Sequence, residues 1–224
     1  MINPDNRHSS GWLSRQKAVS LQRFPFITLA LVLLSSAFML LPDPLQVHLY
    51  LDLRRISQGH VWGLVSGHWL HADLQHLLWN VVALAILGSI IELRSRAILM
   101  WSLAIGTLFV DLLLLSPLSD IQRYCGLSGI LNTLLGTALY LNWRETRSAL
   151  VILIACLSVI KIVIELSYGH SVFTDFSWPP YPLAHLAGLL ATPLVIGCCY
   201  LGRTAGKQRA PTARRNTNGH LVTR

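Results

Sequence analysis

Residues 70–93 read LHADLQHLLWNVVALAILGSIIEL, and this stretch decides the fold class of the chain. It is long and apolar enough to cross the hydrocarbon core of a bilayer as a helix, which takes about 20 residues. His76 and Asn80 lie four residues apart within it, so they share one face of that helix. Because polar side chains in hydrocarbon are costly, the pair needs either a partner or a function.

Five further apolar stretches accompany this one. They span residues 24–41, 98–115, 128–143, 149–166 and 183–201. We therefore predict an all-α membrane protein with a bundle of six transmembrane helices. A cleaved signal peptide is the alternative for the first stretch, but that stretch is long, begins far from the start and lacks an A-x-A cleavage site.

The composition supports a membrane protein. Of the 224 residues, 53% are hydrophobic and 12% are charged, against about 25% charged in soluble domains. This excludes an ordinary soluble domain and a disordered chain. The four cysteines lie in or beside apolar runs without paired spacing, so we expect buried thiols and no disulfide framework. They are Cys125, Cys156, Cys198 and Cys199.

The basic residues set the orientation. Fourteen of the 18 lysines and arginines fall on one side of the six stretches. The positive-inside rule then places both termini in the cytoplasm. We predict a basic cytoplasmic arm over residues 1–23, a six-helix domain over 24–202 and a disordered basic tail over 203–224. The net charge of +8 thus reflects the orientation of the chain in the membrane. Membrane lipid is the expected partner of the basic residues, and nucleic acid is excluded.

Two loops face the opposite side. Residues 42–69 carry Trp62 and Trp69 among polar residues, which is typical of the membrane interface. Residues 168–182 are rich in aromatic residues and proline. This second loop is either a mobile cap over a site or a simple aromatic belt.

Polar residues recur at the start of the predicted fourth and sixth helices. The fourth begins Gly126-Leu127-Ser128-Gly129, and the sixth carries His185 and Gly188. Singly, a serine usually bonds its own helix, a histidine makes a contact between helices, and a glycine permits close packing. Together they supply the parts of an acyl-transfer site.

The roles follow from the chemistry. Ser128 is the candidate nucleophile and His185 the general base, while His76, Asn80 and the Ser128 amide donate to the oxyanion. A polar mouth around His68, His71 and Gln75 would admit water. No acid has a spacing that places it against His185: Asp111 lies in the third stretch, Asp175 lies in a loop, and Lys161 and Glu165 are expected to pair with each other. We therefore predict a Ser-His dyad with no metal and no cofactor; a dyad of Ser128 and Lys161 is the less favoured alternative.

These residues resemble the rhomboid family of intramembrane serine proteases. The family's Gly-x-Ser-Gly is similar to residues 126–129, and its H-x4-H-x3-N pattern is similar to His71, His76 and Asn80. Its sixth-span H-x-x-G motif is similar to His185 and Gly188. The resemblance implies an endopeptidase that cleaves transmembrane segments near the periplasmic face. It also implies that Gly126 and Gly129 are supporting residues of the site.

The context Tyr124-Cys125-Gly126-Leu127-Ser128-Gly129 is similar to the bacterial rhombosortase branch. That branch implies an enzyme of the bacterial inner membrane acting on proteins with a C-terminal Gly-Gly signal.

Three positions depart from the pattern of the rhomboid family. Trp62 is followed by Gly63 where many members have arginine, Asn132 replaces an aromatic residue that stacks on the histidine, and Thr192 replaces a glycine. With Asn132 at that position, a hydrogen bond would have to hold His185.

Two other functions remain open from the sequence. One is an inactive rhomboid-like protein that binds client transmembrane helices, although inactive relatives typically lose the serine or the histidine. The other is an unrelated transporter or channel, for which Asp111, Lys161 and Glu165 would be the polar pathway.

Overall fold

The computed structural model describes residues 24–169 and 181–208. The predicted basic arm, most of the aromatic loop with Asp175, and residues 209–224 of the tail lie outside the described residues. The elements run α1 (Phe26–Phe38), α2 (Asp43–Leu49), β1 (Leu51–Asp52), α3 (Leu53–Ser57), α4 (Gly63–Ser66), a 3-10 turn (Gly67–Trp69), α5 (Leu74–Glu92), α6 (Arg96–Leu114), β2 (Arg123–Tyr124), α7 (Ser128–Thr146), α8 (Ala149–Tyr168) and α9 (Pro182–Gln208).

The fold is mostly helical, and four helices of the described residues are long and apolar enough to cross a membrane. These are α5, α6, α8 and the Pro182–Cys199 part of α9. The prediction of a helical membrane protein is confirmed to that extent. Helix α7 starts at Ser128, where the fourth predicted stretch starts, and has 19 residues, but its composition is more polar.

Helix α1 is apolar but has only 13 residues, shorter than the predicted 24–41. Pro25 precedes its first turn, and the chain leaves the helix in a turn after Phe38. The Gln46 side chain then donates to the Leu41 carbonyl oxygen at 2.8 Å, which holds this exit against α2. The predicted stretch therefore includes a turn that its apolar residues alone did not reveal.

A short antiparallel ribbon closes one end of the bundle, and the all-α prediction did not include it. Leu51 pairs with Tyr124, and Asp52 pairs with Arg123. Asp52 also accepts hydrogen bonds from the backbone N–H groups that start α3, as an N-cap does. The ribbon ties the loop after α1 to the loop before α7. We call the end of the bundle that carries β1 and β2 the ribbon end.

In the loop between β1 and α5, the backbone at Gly63 packs directly against the backbone of Tyr50. A Cβ added to Gly63 would lie 2.7 Å from the Tyr50 carbonyl oxygen, so a larger residue does not fit there. Trp62 Nε1 donates to the His48 carbonyl oxygen at 2.8 Å, and Arg55 donates to the Val47 carbonyl oxygen at 2.9 Å. The loop is thus anchored although Gly63 stands where arginine is usual.

The cysteine prediction is correct for one thiol and wrong for another. Cys125 is buried, but Cys156 on α8 is exposed, and none of the four forms a disulfide. The reason is that α8 packs on the bundle along a narrow face, with only Ile162 and Glu165 fully inside. Cys198 and Cys199 are half-buried.

Candidate active site

The loop before α7 delivers Ser128 to the ribbon end. Gly126 has a φ of 115°, which side chains other than glycine rarely adopt, and its N–H donates to the Gly67 carbonyl oxygen at 3.0 Å. A Cβ on Gly126 would lie 2.6 Å from the His76 ring. Glycine is therefore required both for the turn and for the close approach of this loop to α5.

Helices α7 and α9 cross without intervening side chains beside Ser128. A Cβ on Gly188 would collide with the Gly129 carbonyl group, and one on Gly129 would lie 3.1 Å from the Ala184 carbonyl oxygen. Ser128 precedes Gly129 and His185 follows Ala184, so the two predicted catalytic residues flank one crossing. His185 is 6% exposed and Ser128 is half-buried.

The same crossing is reinforced further along both helices. Thr133 Oγ1 donates to the Gly188 carbonyl oxygen at 2.6 Å. One turn on, Gly136 packs directly on Thr192, the residue that replaces the glycine of the family's pattern. Small residues at these positions let the backbones approach closely, which fixes the relative position of α7 and α9.

The first two turns of α5 face the loop at Gly126. Asp73 caps the helix by accepting from the His76 N–H at 2.7 Å. Asn80 is buried, its Nδ2 has no hydrogen-bond partner among the described residues, and this nitrogen lies 3.6 Å from a Cβ position on Gly126. The structure thus brings His76, Asn80 and Gly126 together.

His71, in the loop before α5, lies behind this site. Its ring is buried and packs edge-on against the His76 ring, with centroids 4.9 Å apart. Burial, together with the nearby His76, lowers the pKa of His71 to about 3. The imidazole is therefore neutral at physiological pH.

His185 is held by an acid that the sequence analysis did not assign to it. Its Nδ1 lies 2.9 Å from Glu165 Oε2 on α8, and Glu165 has 0% of its surface exposed. The other carboxylate oxygen accepts from Lys161. The predicted pairing of Lys161 with Glu165 is confirmed, whereas the prediction that no acid lies against His185 is wrong.

The fold and the site can now be compared with known proteins. A family model described as the Rhomboid domain matches residues 58–202, more than half of the chain. This chain belongs to the rhomboid family. Two Arabidopsis thaliana proteins, "RHOMBOID-like protein 6, mitochondrial" and "RHOMBOID-like protein 5", are each 31% identical to it. The matches cover 62% and 63% of this chain but 44% and 45% of the relatives, so this rhomboid spans less than half of their length.

Asn132 does not hold the histidine of this rhomboid in place of the missing aromatic residue. Its Nδ2 donates to the Ser128 carbonyl oxygen at 2.8 Å, within its own helix. The hydrogen bond expected at His185 is present, but Glu165 supplies it. In the structure Glu165 lies three residues before the end of α8 and His185 three residues after the start of α9, so both lie at the same depth. The sequence could have indicated this shared depth, but not which face of α8 turns toward α9.

A second buried pair was also missed. His68 Nε2 lies 3.0 Å from Asp111 Oδ1, and His68 is fully buried. Asp111, which had no assigned partner, therefore ties the 3-10 turn to α6. The predicted mouth of His68, His71 and Gln75 is wrong in part, because only Gln75 is exposed.

The described residues contain no group of three or more His, Cys, Asp or Glu side chains that could hold a metal ion. The buried histidines instead pair with single acids or with each other, as His68 does with Asp111 and His185 with Glu165.

Proposed function

We propose that this rhomboid is an intramembrane serine endopeptidase in which Ser128 is the nucleophile and His185 the general base. The observation that carries the proposal is the crossing of α7 and α9, where Gly129 contacts both Ala184 and Gly188. The residues next in the chain are Ser128 and His185. Membership of the rhomboid family supports the same assignment.

The reaction is an acyl transfer. His185 takes the proton of the Ser128 hydroxyl while the oxygen attacks the scissile carbonyl carbon, and it returns the proton to the leaving amine. Water then attacks the acyl-enzyme through the same histidine, which releases the new carboxylate and regenerates Ser128. The proton transfers of each step thus involve only the two side chains, the substrate and water.

The oxyanion of the tetrahedral intermediate would be bound at the start of α7. The Ser128 N–H has no acceptor within its own helix, because it belongs to the first turn. Asn80 Nδ2 is a buried donor without a partner among the described residues, and His76 packs against Gly126 beside it. Donors that are already desolvated and fixed stabilise developing charge most strongly.

We further propose six transmembrane helices with both termini in the cytoplasm. Arg94, Arg96, Arg144 and Arg147 lie at the end opposite the ribbon, whereas Arg54, Arg55 and Arg123 lie at the ribbon end. Most of the remaining basic residues belong to the sequences that precede α1 and follow α9. The basic excess then marks the opposite end as cytoplasmic, and Ser128 faces the periplasmic side of a bacterial inner membrane. A reporter fused after Arg224 tests this topology, since a periplasmic reading would contradict it.

The proposed substrates are membrane-anchored proteins with a C-terminal transmembrane segment preceded by Gly-Gly, as in the rhombosortase branch. Residues 124–129, with Cys125 buried beside the site, support this specificity by resemblance.

The experiment is co-expression of the chain with a reporter that carries such a segment. We expect the wild type to cleave it, Ser128→Ala and His185→Ala to abolish cleavage, and Ser167→Ala to cleave normally. Ser167 is a matched control because it is exposed on α8 and only bonds its own helix. Cleavage by Ser128→Ala would contradict the proposal, whereas reporter binding without cleavage by any variant would favour the inactive rhomboid-like protein.

A further inference from the structure

We propose that Glu165 is a positioning residue for His185, and that Lys161 holds its carboxylate in place, so that the site is a Ser-His-Glu arrangement and not a dyad alone. The inference rests on the proposed function, because it assigns a role toward the proposed general base. The observation behind it is the 2.9 Å contact between His185 Nδ1 and Glu165 Oε2.

The burial of Glu165 is the first argument. Helix α8 turns most of its surface outward, and Ile162 and Glu165 are its buried residues. A carboxylate on such a helix would be expected at the surface beside Lys161, whose side chain is 36% exposed. Glu165 instead lies fully inside, against α9. A buried carboxylate is costly unless it is paired, so its place is explained by the contact with His185.

The use of both carboxylate oxygens is the second argument. Oε1 accepts from Lys161 Nζ, and Oε2 lies against His185. Lys161 is one helical turn from Glu165, so it supplies a cation at short range without crossing to another helix. The carboxylate is thereby kept ionised and fixed in one rotamer, which is what a group that orients an imidazole requires.

The consequence for His185 is a defined tautomer. An ionised carboxylate only accepts hydrogen bonds, so Nδ1 of the histidine must carry the proton. In the neutral imidazole the lone pair then lies on Nε2, the nitrogen on the far side of the ring from Glu165. When Nε2 takes the Ser128 proton, the adjacent carboxylate stabilises the positive charge. The acid of serine-protease triads acts in this way.

The experiment measures kcat and KM of purified full-length chain on a transmembrane reporter in liposomes. The variants are Glu165→Gln, Glu165→Asp and Lys161→Met, with Ser167→Ala as the matched control on the same helix and Ser128→Ala as the inactive reference. We expect Glu165→Gln to lower kcat by about 10²- to 10⁴-fold with little change in KM, as loss of the triad acid does in other serine proteases.

The charge-conserving variant separates orientation from folding. Glu165→Asp keeps the charge but shortens the reach by one methylene, so we expect a kcat between those of the wild type and Glu165→Gln. Lys161→Met should lower kcat by about tenfold, since the carboxylate remains but is less firmly held. A merely structural role would instead lower the yield of folded protein and leave the kcat of the folded fraction unchanged.

The outcomes distinguish the two proposals. A kcat of Glu165→Gln within about twofold of the wild type, with Ser128→Ala inactive, overturns the role of Glu165 and leaves the proposed function standing. Cleavage by Ser128→Ala overturns the proposed function itself. If Glu165→Gln gives no folded protein, Glu165→Asp decides, because a wild-type kcat there would contradict the need for the contact with Nδ1.

Discussion

The two ends of the bundle each bury a glutamate, and they use it differently. At the end opposite the ribbon, Glu92 accepts from the backbone N–H groups of Ile27 and Thr28 at 3.0 and 2.7 Å and from the Thr28 hydroxyl at 2.8 Å. At the ribbon end, Glu165 contacts a histidine and a lysine. The first joins α1 to α5, while the second orients a side chain.

The polar atoms around these two glutamates differ as well. Near Glu92, Arg94 donates to both Glu145 and Asn142, so these three polar side chains are partnered. At the ribbon end, the buried Asn80 Nδ2 has no partner among the described residues. Buried polar groups without partners are rare in folded proteins and call for an explanation. The proposed function explains the Asn80 donor by its role toward the oxyanion, whereas the polar groups near Glu92 hold helices together.

The contrast depends first on α9 being fixed against α7 at the ribbon end. Gly188→Val should give the largest effect, a destabilisation of about 3 kcal/mol or more with loss of activity, because its side chain would overlap the Gly129 carbonyl group. Thermal unfolding in detergent measures it. Gly197→Ala is the control on the same helix, because a Cβ there meets no atom within 4 Å; equal losses in the two variants would contradict the account.

The unpartnered donor at the ribbon end comes next. Asn80→Ala should lower kcat by about 10²- to 10³-fold, the usual cost of removing one oxyanion donor, without loss of stability. Asn142→Ala is the matched control at the opposite end, where the amide donates to the Ala138 carbonyl oxygen and accepts from Arg94. It should be less stable but as active as the wild type; the reverse pattern would show that the ends were assigned wrongly.

Substitution of Glu92, the buried acid at the end opposite the ribbon, should affect stability alone. Glu92→Gln places an amide NH₂ against N–H groups that the carboxylate now accepts from, so we expect a loss of about 1–3 kcal/mol. The kcat of the folded fraction should be unchanged, in contrast to Glu165→Gln. A drop in kcat as large as that of Glu165→Gln would remove the distinction between the two glutamates.

Asp52 should give the smallest effect, although it lies at the ribbon end. Burial raises its pKa, but hydrogen bonds from the Arg55 N–H and the Arg123 guanidinium outweigh this and hold the pKa below its usual value of 3.8. A depressed pKa in the folded state stabilises the protein above pH 3.8, and this contribution is lost as the pH falls through the folded value.

The variant Asp52→Asn can still cap α3, so only the charged part of these contacts is lost. We expect a destabilisation of about 0.2–1 kcal/mol at pH 7, measured by thermal unfolding, and no change in kcat. The difference from the wild type should shrink as the pH is lowered below 3.8. A difference that stays constant with pH would show that the ionised carboxylate does not contribute.

The sequence predicted those parts of the site that lie within one helix or beside a glycine. His76 and Asn80 share a face because they are four residues apart on α5, and Ser128 starts α7 because the glycine-rich loop ends there. Close packing at Gly129 and Gly188 follows from the absence of side chains. In each case the relation is fixed by local geometry, so spacing in the chain was sufficient.

Contacts between helices were not predictable in the same way. Glu165 is buried against His185 only because α8 is rotated to turn its narrow packed face toward α9, and no spacing within either helix encodes that rotation. The pairing with Lys161 was predicted correctly, but it used only one of the two carboxylate oxygens. The contact of His68 with Asp111, 43 residues apart, was missed for the same reason.

The central claim is that Ser128 is a nucleophile activated by His185, and labelling with a fluorophosphonate tests it most directly. The purified full-length chain is treated with the probe, and the adduct is located by mass spectrometry of the digested protein. The account predicts one adduct, on the Ser128 oxygen, that is absent in His185→Ala and forms normally in Ser167→Ala. Labelling of a different serine, or equal labelling of Ser128 without His185, would contradict it.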